Sequence, residues 1–338
     1  MSLHLQSTSV RIAVIIPCYR VVDHIVDVVC HIPPLVACIF AVDDACPQHS
    51  GQYLREQCRD PRLQVIFHEK NQGVGGAMIT GYKAALAAGC DIMVKMDGDD
   101  QMDPAYIPRL LQPIITGHSD FTKGNRFYDL RALRQMPLLR RVGNLGLTFL
   151  TKAAGGYWNV ADPTNGYTAV HTSALRLLSF DQISRRYFFE TSMLIQLNII
   201  RAVAHDVPIP ARYGNETSSL SLSRALFSFP PRLIGGFFRR LLWRYLIYDL
   251  SAVTVLLFIG SLSMGFGVGF GLYRWILGTQ LHQPQTSGTV ALALLPTLLG
   301  FQMLLQALLL DIMDRPAIPL SRLMPDKIDS TAAQAHSV

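Results

Sequence analysis

Two carboxylates separated by one residue in an extended segment point the same way. Hard divalent cations such as Mg²⁺ and Mn²⁺ want oxygen ligands, commonly one or two carboxylates plus substrate phosphates. The stretch Lys95-Met96-Asp97-Gly98-Asp99-Asp100-Gln101-Met102-Asp103-Pro104 offers such a set. Asp97 and Asp99, with Gln101 next in the alternation, are candidates to converge on one metal–diphosphate group. The competing reading is an acidic turn that caps the helix starting near Pro104.

The elements around this stretch follow from hydrophobic patterning. Arg11–Pro17 reads as a buried first strand, Leu35–Val42 as a second that stops at Asp43-Asp44, and Leu63–Phe67 as a third. Cys90–Met96 is the fourth and delivers the acidic stretch, with helices around Tyr53–Cys58 and within Gly73–Gly89. Such alternation predicts a mostly parallel α/β sheet. Ligands gather at the carboxyl ends of strands in these sheets, and Pro17/Tyr19, Asp43/Asp44 and Asp97/Asp99 all fall there. Asn71-Gln72-Gly73-Val74-Gly75-Gly76 is not a dinucleotide loop: Met78 stands where a glycine is required, and the run follows the third strand. It is either a helix start whose amides approach a phosphate or sugar, or a site of tight helix–sheet packing.

Of 338 residues, 50% are apolar and only 16% charged, against an ordinary share of about a quarter. The deficit lies in 249–312. The net charge of +6 is likewise local. Arg224, Arg232, Arg239, Arg240 and Arg244 crowd an acid-free segment beside the apolar region, which favours anionic lipid over nucleic acid as partner. No aromatic-plus-basic nucleic-acid motif is present. The six cysteines (18, 30, 38, 46, 58 and 90) form no Cys-x-x-Cys pair and read as small buried side chains of a reducing compartment. No basic segment leads into an apolar one at the N-terminus, so no signal peptide is expected and the first domain should face the cytoplasm.

Pro231–Tyr248 carries Ile234, Phe237, Phe238, Leu241, Leu242, Tyr245 and Tyr248 at helical spacing, with Arg232, Arg239, Arg240 and Arg244 across the wheel. That pattern predicts a helix lying in a headgroup interface. Residues 250–273 and 290–310 are each long enough to cross about 30 Å of hydrocarbon. Joined by the polar turn His282–Gln285, they read as a transmembrane hairpin rather than a buried soluble one. Arginines before the first span and Arg315 to Lys327 after the second place both ends in the cytoplasm, at an inner membrane. Gly265, Gly267, Gly269 and Gly271 permit close helix contact, within the hairpin or between subunits of a homo-oligomer. The expected division is a catalytic domain at 1–220, a juxtamembrane segment at 221–248, the hairpin at 249–314 and a loosely ordered tail at 315–338.

Ile15-Ile16-Pro17-Cys18-Tyr19, Val42-Asp43-Asp44, Asn71-Gln72-Gly73, Asp97-Gly98-Asp99-Asp100-Gln101, Gly124-Asn125-Arg126-Phe127 and Asp162-Pro163-Thr164-Asn165-Gly166-Tyr167 occur in one order. In that order and spacing, residues 10–220 resemble a family 2 glycosyltransferase of the GT-A fold. The most similar branch is the dolichyl-phosphate-mannose-synthase-like, polyprenyl-phosphate one. The resemblance implies that Pro17, Tyr19 and Asp44, with or without Asp43, hold the nucleoside of a nucleoside-diphosphate-sugar. Asp97 would face the ribose or sugar-phosphate and join Asp99 and Gln101 at a Mg²⁺ or Mn²⁺ ion. Arg126 and Asn144, with Arg140 or Arg141 according to register, would bind the acceptor phosphate. Glu190 stands where some inverting members place a base, or is a buried helix-start residue. The chain departs from the pattern in carrying Asp100 and in lacking a lysine in 213–219, leaving Arg212 or Arg224 as basic help for the diphosphate.

The implied activity is inverting transfer of a sugar to a polyprenyl phosphate at a membrane, for cell-envelope glycans. The acceptor oxygen is already anionic near neutral pH, so a strong general base is less needed than for a sugar hydroxyl. A processive polysaccharide synthase would carry Gln-x-x-Arg-Trp, which is absent. Transfer to another lipid, or a non-catalytic scaffold or flippase partner, are the remaining alternatives.

Overall fold

Runs of Ile, Val and Ala with no charge favour strands buried on both faces, and such runs build the centre of the sheet. The computed structural model describes residues 10–128, 138–163, 165–210 and 222–324, with only the backbone of 138–145 and 222–228. Strand β1 (Ile12–Cys18) pairs in parallel with β2 (Cys38–Asp43) and with β4 (Ile92–Lys95), and β2 pairs in parallel with β3 (Leu63–Phe67). Beyond β4 lie β6 (Thr168–His171), β5 (Phe121–Asn125) and β7 (Ala204–Pro208), giving the order β3-β2-β1-β4-β6-β5-β7. Only β6 runs against its neighbours. The four expected strands are present. β2 starts later than read because a turn closed by Val36 N–H to the Pro33 carbonyl takes up the residues before it.

Alternation sends Ile12, Val14 and Ile16 to one face, against helices α1 (Ile25–Cys30) and α4 (Ile107–Ile115). Helix α2 (Ser50–Gln57) adds Leu54 to this layer. Ala13 and Ile15 go to the other face, against α3 (Val74–Ala87) and α7 (Phe189–Ile199). α5 (Leu138–Gly155) and α6 (Thr172–Leu177) complete this layer, and the middle of α8 (Leu222–Leu241) packs on α7 through Leu233 and Ile195.

The chain folds into two compact units, Met1–Phe237 with Pro316–Val338, and Phe238–Arg315. In the first unit, residues 316–324 are not the loose tail that composition suggested. Asp120 is wholly buried at the start of β5 and needs donors; its carboxylate accepts the N–H groups of Val203 (2.9 Å), Leu320 (3.0 Å) and Ser321 (3.2 Å). Those last two amides open α11 (Leu320–Leu323), whose Leu320 joins the core.

The second unit holds α9 (Ala252–Leu281) and α10 (Ser287–Met313), both long and apolar enough to cross a membrane. His282, with φ of 51°, ends α9 and opens the expected turn. An added Cβ at Gly267 would meet the Ala293 carbonyl at 2.8 Å and one at Gly271 the Ala293 Cβ at 3.2 Å, whereas Gly265 and Gly269 face open space. One of the two glycine pairs therefore serves contact within the hairpin.

Two of the four arginines depart from the expected polar face, while Arg232 stays exposed and Arg239 half-buried. Arg240 and Arg244 are buried, while Phe238, Leu242, Leu246, Ile247 and Tyr248 are exposed. Asp311 on α10 is the physical reason, since a buried carboxylate demands a partner. Arg240 meets it in a two-point pair (Nη1–Oδ1 and Nη2–Oδ2, both 2.7 Å), and the Tyr245 hydroxyl donates to it at 2.7 Å. Arg244 Nη2 pairs with Asp314 Oδ2 at 2.8 Å. These positive charges are spent on acids of the same unit, and the outward face is apolar.

Candidate active site

The site begins with a cross-strand row. Ile15, Lys95, Thr168, Lys123 and Asp206 are successive partners on β1, β4, β6, β5 and β7, and residues directly opposite share a face. Ile15 belongs to the α3/α7 layer, so both lysines lie under those helices, each about 1% exposed. A buried ammonium is costly unless paired. Lys95 Nζ meets Asp97 Oδ1 at 2.7 Å and Glu190 Oε1, in the first turn of α7, at 3.5 Å. Burial alone would push Lys95 down, but Asp97 and then Glu190 hold its ammonium above the ordinary lysine range. Lys123 donates to the Asn165 carbonyl. Burial pushes it down to about 8 despite the charges of Glu190, Asp162 and Asp206.

The segment Asp162–Tyr167 ties these strand ends together. Asp162, fully buried, takes Arg126 Nε at 2.7 Å and Nη2 at 3.2 Å, so the guanidinium leaves the end of β5 as an oriented, partly exposed fork. The Asn165 side chain donates to the Gly124 carbonyl at 2.7 Å, and the Tyr167 hydroxyl donates to the Asp103 carbonyl at 2.9 Å. Gly166 is required by close approach. A Cβ there would lie within 3.0 Å of Lys95 Nζ and 2.9 Å from Asp97 Oδ2. Asp206 accepts from Ala161 N–H (2.7 Å) and Asn125 Nδ2 (3.1 Å), and burial raises its carboxyl.

At the ends of β1 and β2, Pro17 is half-buried and Tyr19 exposed, with the Arg20 guanidinium 5.4 Å from the Tyr19 ring centre. Asp43 and Asp44 are buried and occupied in building loops. Asp43 accepts Cys46 N–H (2.7 Å) and Gly51 N–H (2.6 Å). Asp44 accepts Gln72 N–H (2.8 Å) and Gly73 N–H (2.7 Å), and lies 2.8 Å from His68 Nδ1. The glycine run is therefore a packing device. Two of its amides go to Asp44, Gly73 has φ of 86°, and Cβ atoms at 73 or 75 would strike the carbonyls of Arg185 or Ser184.

In the acidic stretch, helix capping falls to Asp103, whose Oδ1 accepts Ala105 N–H at 2.9 Å. Asp97 and Asp99 are not needed for that task. Asp99 Oδ1 accepts Gln101 N–H at 3.2 Å, and Asp100 sits on the surface with φ of 60°. Among the described residues no three His, Cys, Asp or Glu side chains form a metal cage. Two carboxylates and an amide oxygen at a half-exposed strand end fit a Mg²⁺-type ion, which completes its shell with water and substrate oxygens.

The structure thus brings Asp97 to Lys95 and Glu190, and Arg126 to Asp162. The side chains of Arg140, Arg141, Asn144 and Arg224, and all of Arg212 and 213–219, lie outside the described residues. Lys95, Lys123 and the function of Asp162 were missed from sequence. For Lys95 the signal was a lysine closing an otherwise apolar strand, where a charge must find a partner; Lys123, in the mixed sequence of β5, gave no such signal.

Residues 13–178 match the model of the family described as glycosyl transferase family 2. The chain is 40% identical over 152 residues to a UDP-N-acetylglucosamine–dolichyl-phosphate N-acetylglucosaminyltransferase of Methanococcus voltae, covering 45% of this chain and 60% of that protein. It therefore spans less than two thirds of that relative. It is 30% identical over 173 residues to an undecaprenyl-phosphate mannosyltransferase of Micrococcus luteus, covering 51% of this chain and 70% of that one. Among solved structures, glucosyl-3-phosphoglycerate synthase from Mycobacterium tuberculosis, in complex with Mn²⁺, uridine diphosphate and phosphoglyceric acid, shares the fold with a TM-score of 0.51 at 20% identity. The match covers 68% of this chain and 78% of that one. With the GT-A fold, the ordered strand-end motifs and these matches in hand, the chain belongs to glycosyl transferase family 2 and is related to the dolichyl- and undecaprenyl-phosphate sugar transferases.

Proposed function

We propose that this protein transfers a sugar from a nucleoside-diphosphate-sugar to the phosphate of a polyprenyl lipid, with inversion at the anomeric carbon. The observation that carries this is one chain holding both the acidic strand end with its Arg126 fork and two helices long enough to cross a bilayer. Both named relatives act on a polyprenyl-type phosphate, which supports the acceptor class. The catalytic domain (1–220) faces the cytoplasm, the segment 221–248 rests at the membrane surface, and 249–314 crosses an inner membrane twice. An oligomer through the open Gly265/Gly269 face is compatible with this arrangement.

In this reading Pro17 and the exposed Tyr19 receive the base, on loops shaped by Asp43 and Asp44. Asp99 and Gln101, with Asp97, would hold Mg²⁺ or Mn²⁺, which when bound supplies Lewis-acid stabilisation of the departing diphosphate. Mn²⁺ with uridine diphosphate in a protein of the same fold supports that choice of ion. Arg126, oriented by Asp162, and Arg140 or Arg141 with Asn144 grip the lipid phosphate so that one anionic oxygen faces the sugar in line.

The test is purified full-length protein in detergent with undecaprenyl phosphate, Mg²⁺ or Mn²⁺, and a panel of labelled nucleotide-sugars. Label from one donor should enter the organic phase, and Asp99→Ala should lower the rate by about 100-fold or more. Full transfer by Asp99→Ala without metal would overturn the reading. Label on a different lipid would point to the alternative acceptor, and donor binding without turnover to the scaffold.

A further inference from the structure

Glu190 is the one carboxylate in the first turn of α7, and its place in the family pattern invites the role of proton acceptor. The surroundings argue otherwise. Its nearest charge is the buried Lys95 ammonium, 3.5 Å from Oε1, and Lys123 lies two strands along the same face. Lys95 has no polar neighbour in β4 itself, since Ile92, Met93 and Val94 precede it. Across the sheet it faces Ile15 and Thr168. Gly166 leaves no room for the chain to swing. The ammonium is therefore held between two carboxylates, Asp97 at the rim and Glu190 behind it.

We propose that Lys95 is a positioning residue that fixes the Asp97 carboxylate at the edge of the site, and that Glu190 is its counter-ion rather than a base. The role given to Asp97 rests on the proposed function; the pairing of Lys95 with Glu190 does not. Lys95 Nζ, 3.5 Å from Oε1, is a buried ammonium that needs a partner, and that pairing rather than uptake of a proton accounts for Glu190. An ionised phosphate acceptor has no proton to surrender, so the reaction does not ask for it. Glu190 acts through Lys95, as the second carboxylate on its ammonium.

Ligand-free melting and the pH dependence of transfer decide the matter, using full-length protein in detergent. Glu190→Gln and Lys95→Met should each lower Tm by about 5–10 °C, as expected when one member of a buried pair is removed. The double variant should recover part of that loss, because Glu190 and Lys95 no longer leave one another unpaired and only Asp97, a third exposed, loses its partner. Transfer by Glu190→Gln should fall about 10-fold or more while the acid limb of its pH profile keeps its midpoint, and Glu190→Asp should restore part of the rate. Unchanged Tm in Glu190→Gln together with loss of the acid limb would make Glu190 the base and overturn the proposal. A double variant no better than Lys95→Met alone would also overturn it. If no donor and lipid support transfer in the wild type, the functional reading fails, and the melting cycle still decides the pairing.

Discussion

Gly166→Ala is the substitution that most directly tests the packing at the strand end. No positive φ is needed at this position, so the change costs no backbone strain and its effect is steric. The added methyl would lie 2.9 Å from Asp97 Oδ2 and within 3.0 Å of Lys95 Nζ, whereas ordinary contact begins at 3.4 Å. Asp97 must retreat by about half an ångström and the Lys95 ammonium by more, and they are locked to one another at 2.7 Å with the lysine buried. Overpacking of this kind costs about 1–3 kcal/mol, and rupture of the pair costs more, about 3–5 kcal/mol. At roughly 2–4 °C per kcal/mol for a domain of this size, Tm should fall by at least several degrees, and transfer should fall with it. Gly146→Ala is the control. It lies inside α5 with nothing within 4 Å of an added Cβ, so it should stabilise by about 0.5–1 kcal/mol. Differential scanning fluorimetry of the three proteins in one detergent gives both values. A Gly166→Ala protein that melts within a degree of wild type and transfers sugar normally would refute the geometry drawn for Lys95 and Asp97.

Asp162→Asn removes the charge that orients Arg126; the KM for undecaprenyl phosphate should rise about 10-fold, and combining it with Arg126→Ala should add little, as steady-state kinetics of the single and double variants would reveal. Lys123 has a folded value of about 8 against an ordinary 10.5. Below pH 8 both states hold the proton and the fold carries the burial penalty. Between those values the unfolded chain binds more protons, so stability should rise with pH there. Lys123→Met should flatten that rise, measured as Tm at several pH values above neutrality. In the second unit, Arg240→Met should destabilise by about 3–5 kcal/mol, and adding Asp311→Leu should recover most of it; thermal unfolding of both proteins gives the comparison.

Much of the fold was legible because it rests on local rules. The apolar runs at Arg11–Pro17 and Cys90–Met96 are strands by composition alone, and the punctuation by Pro17, Asp43-Asp44 and Asp97 marks where they stop. The hairpin was legible from two charge-free stretches and a polar turn, since length and hydropathy act residue by residue. The glycine run was readable only as two alternatives. Which one holds depends on Ser184–Arg186, more than a hundred residues away, and on the Asp44 carboxylate that claims its amides.

Residue type and spacing alone determined the α/β class, the acidic stretch at the end of a strand, and the two apolar helices. Those properties repeat with the period of a strand or helix, or lie within a few residues of each other. Only the tertiary structure decided that Lys95 and Lys123 share one row across Thr168, that Asp162 aims Arg126, that Asp120 holds the segment after the hairpin, and that Arg240 turns inward to Asp311. Each is a charge brought into contact with a group distant in sequence. A buried charge announces that it needs a partner, but which partner it finds is settled by strand order and helix packing.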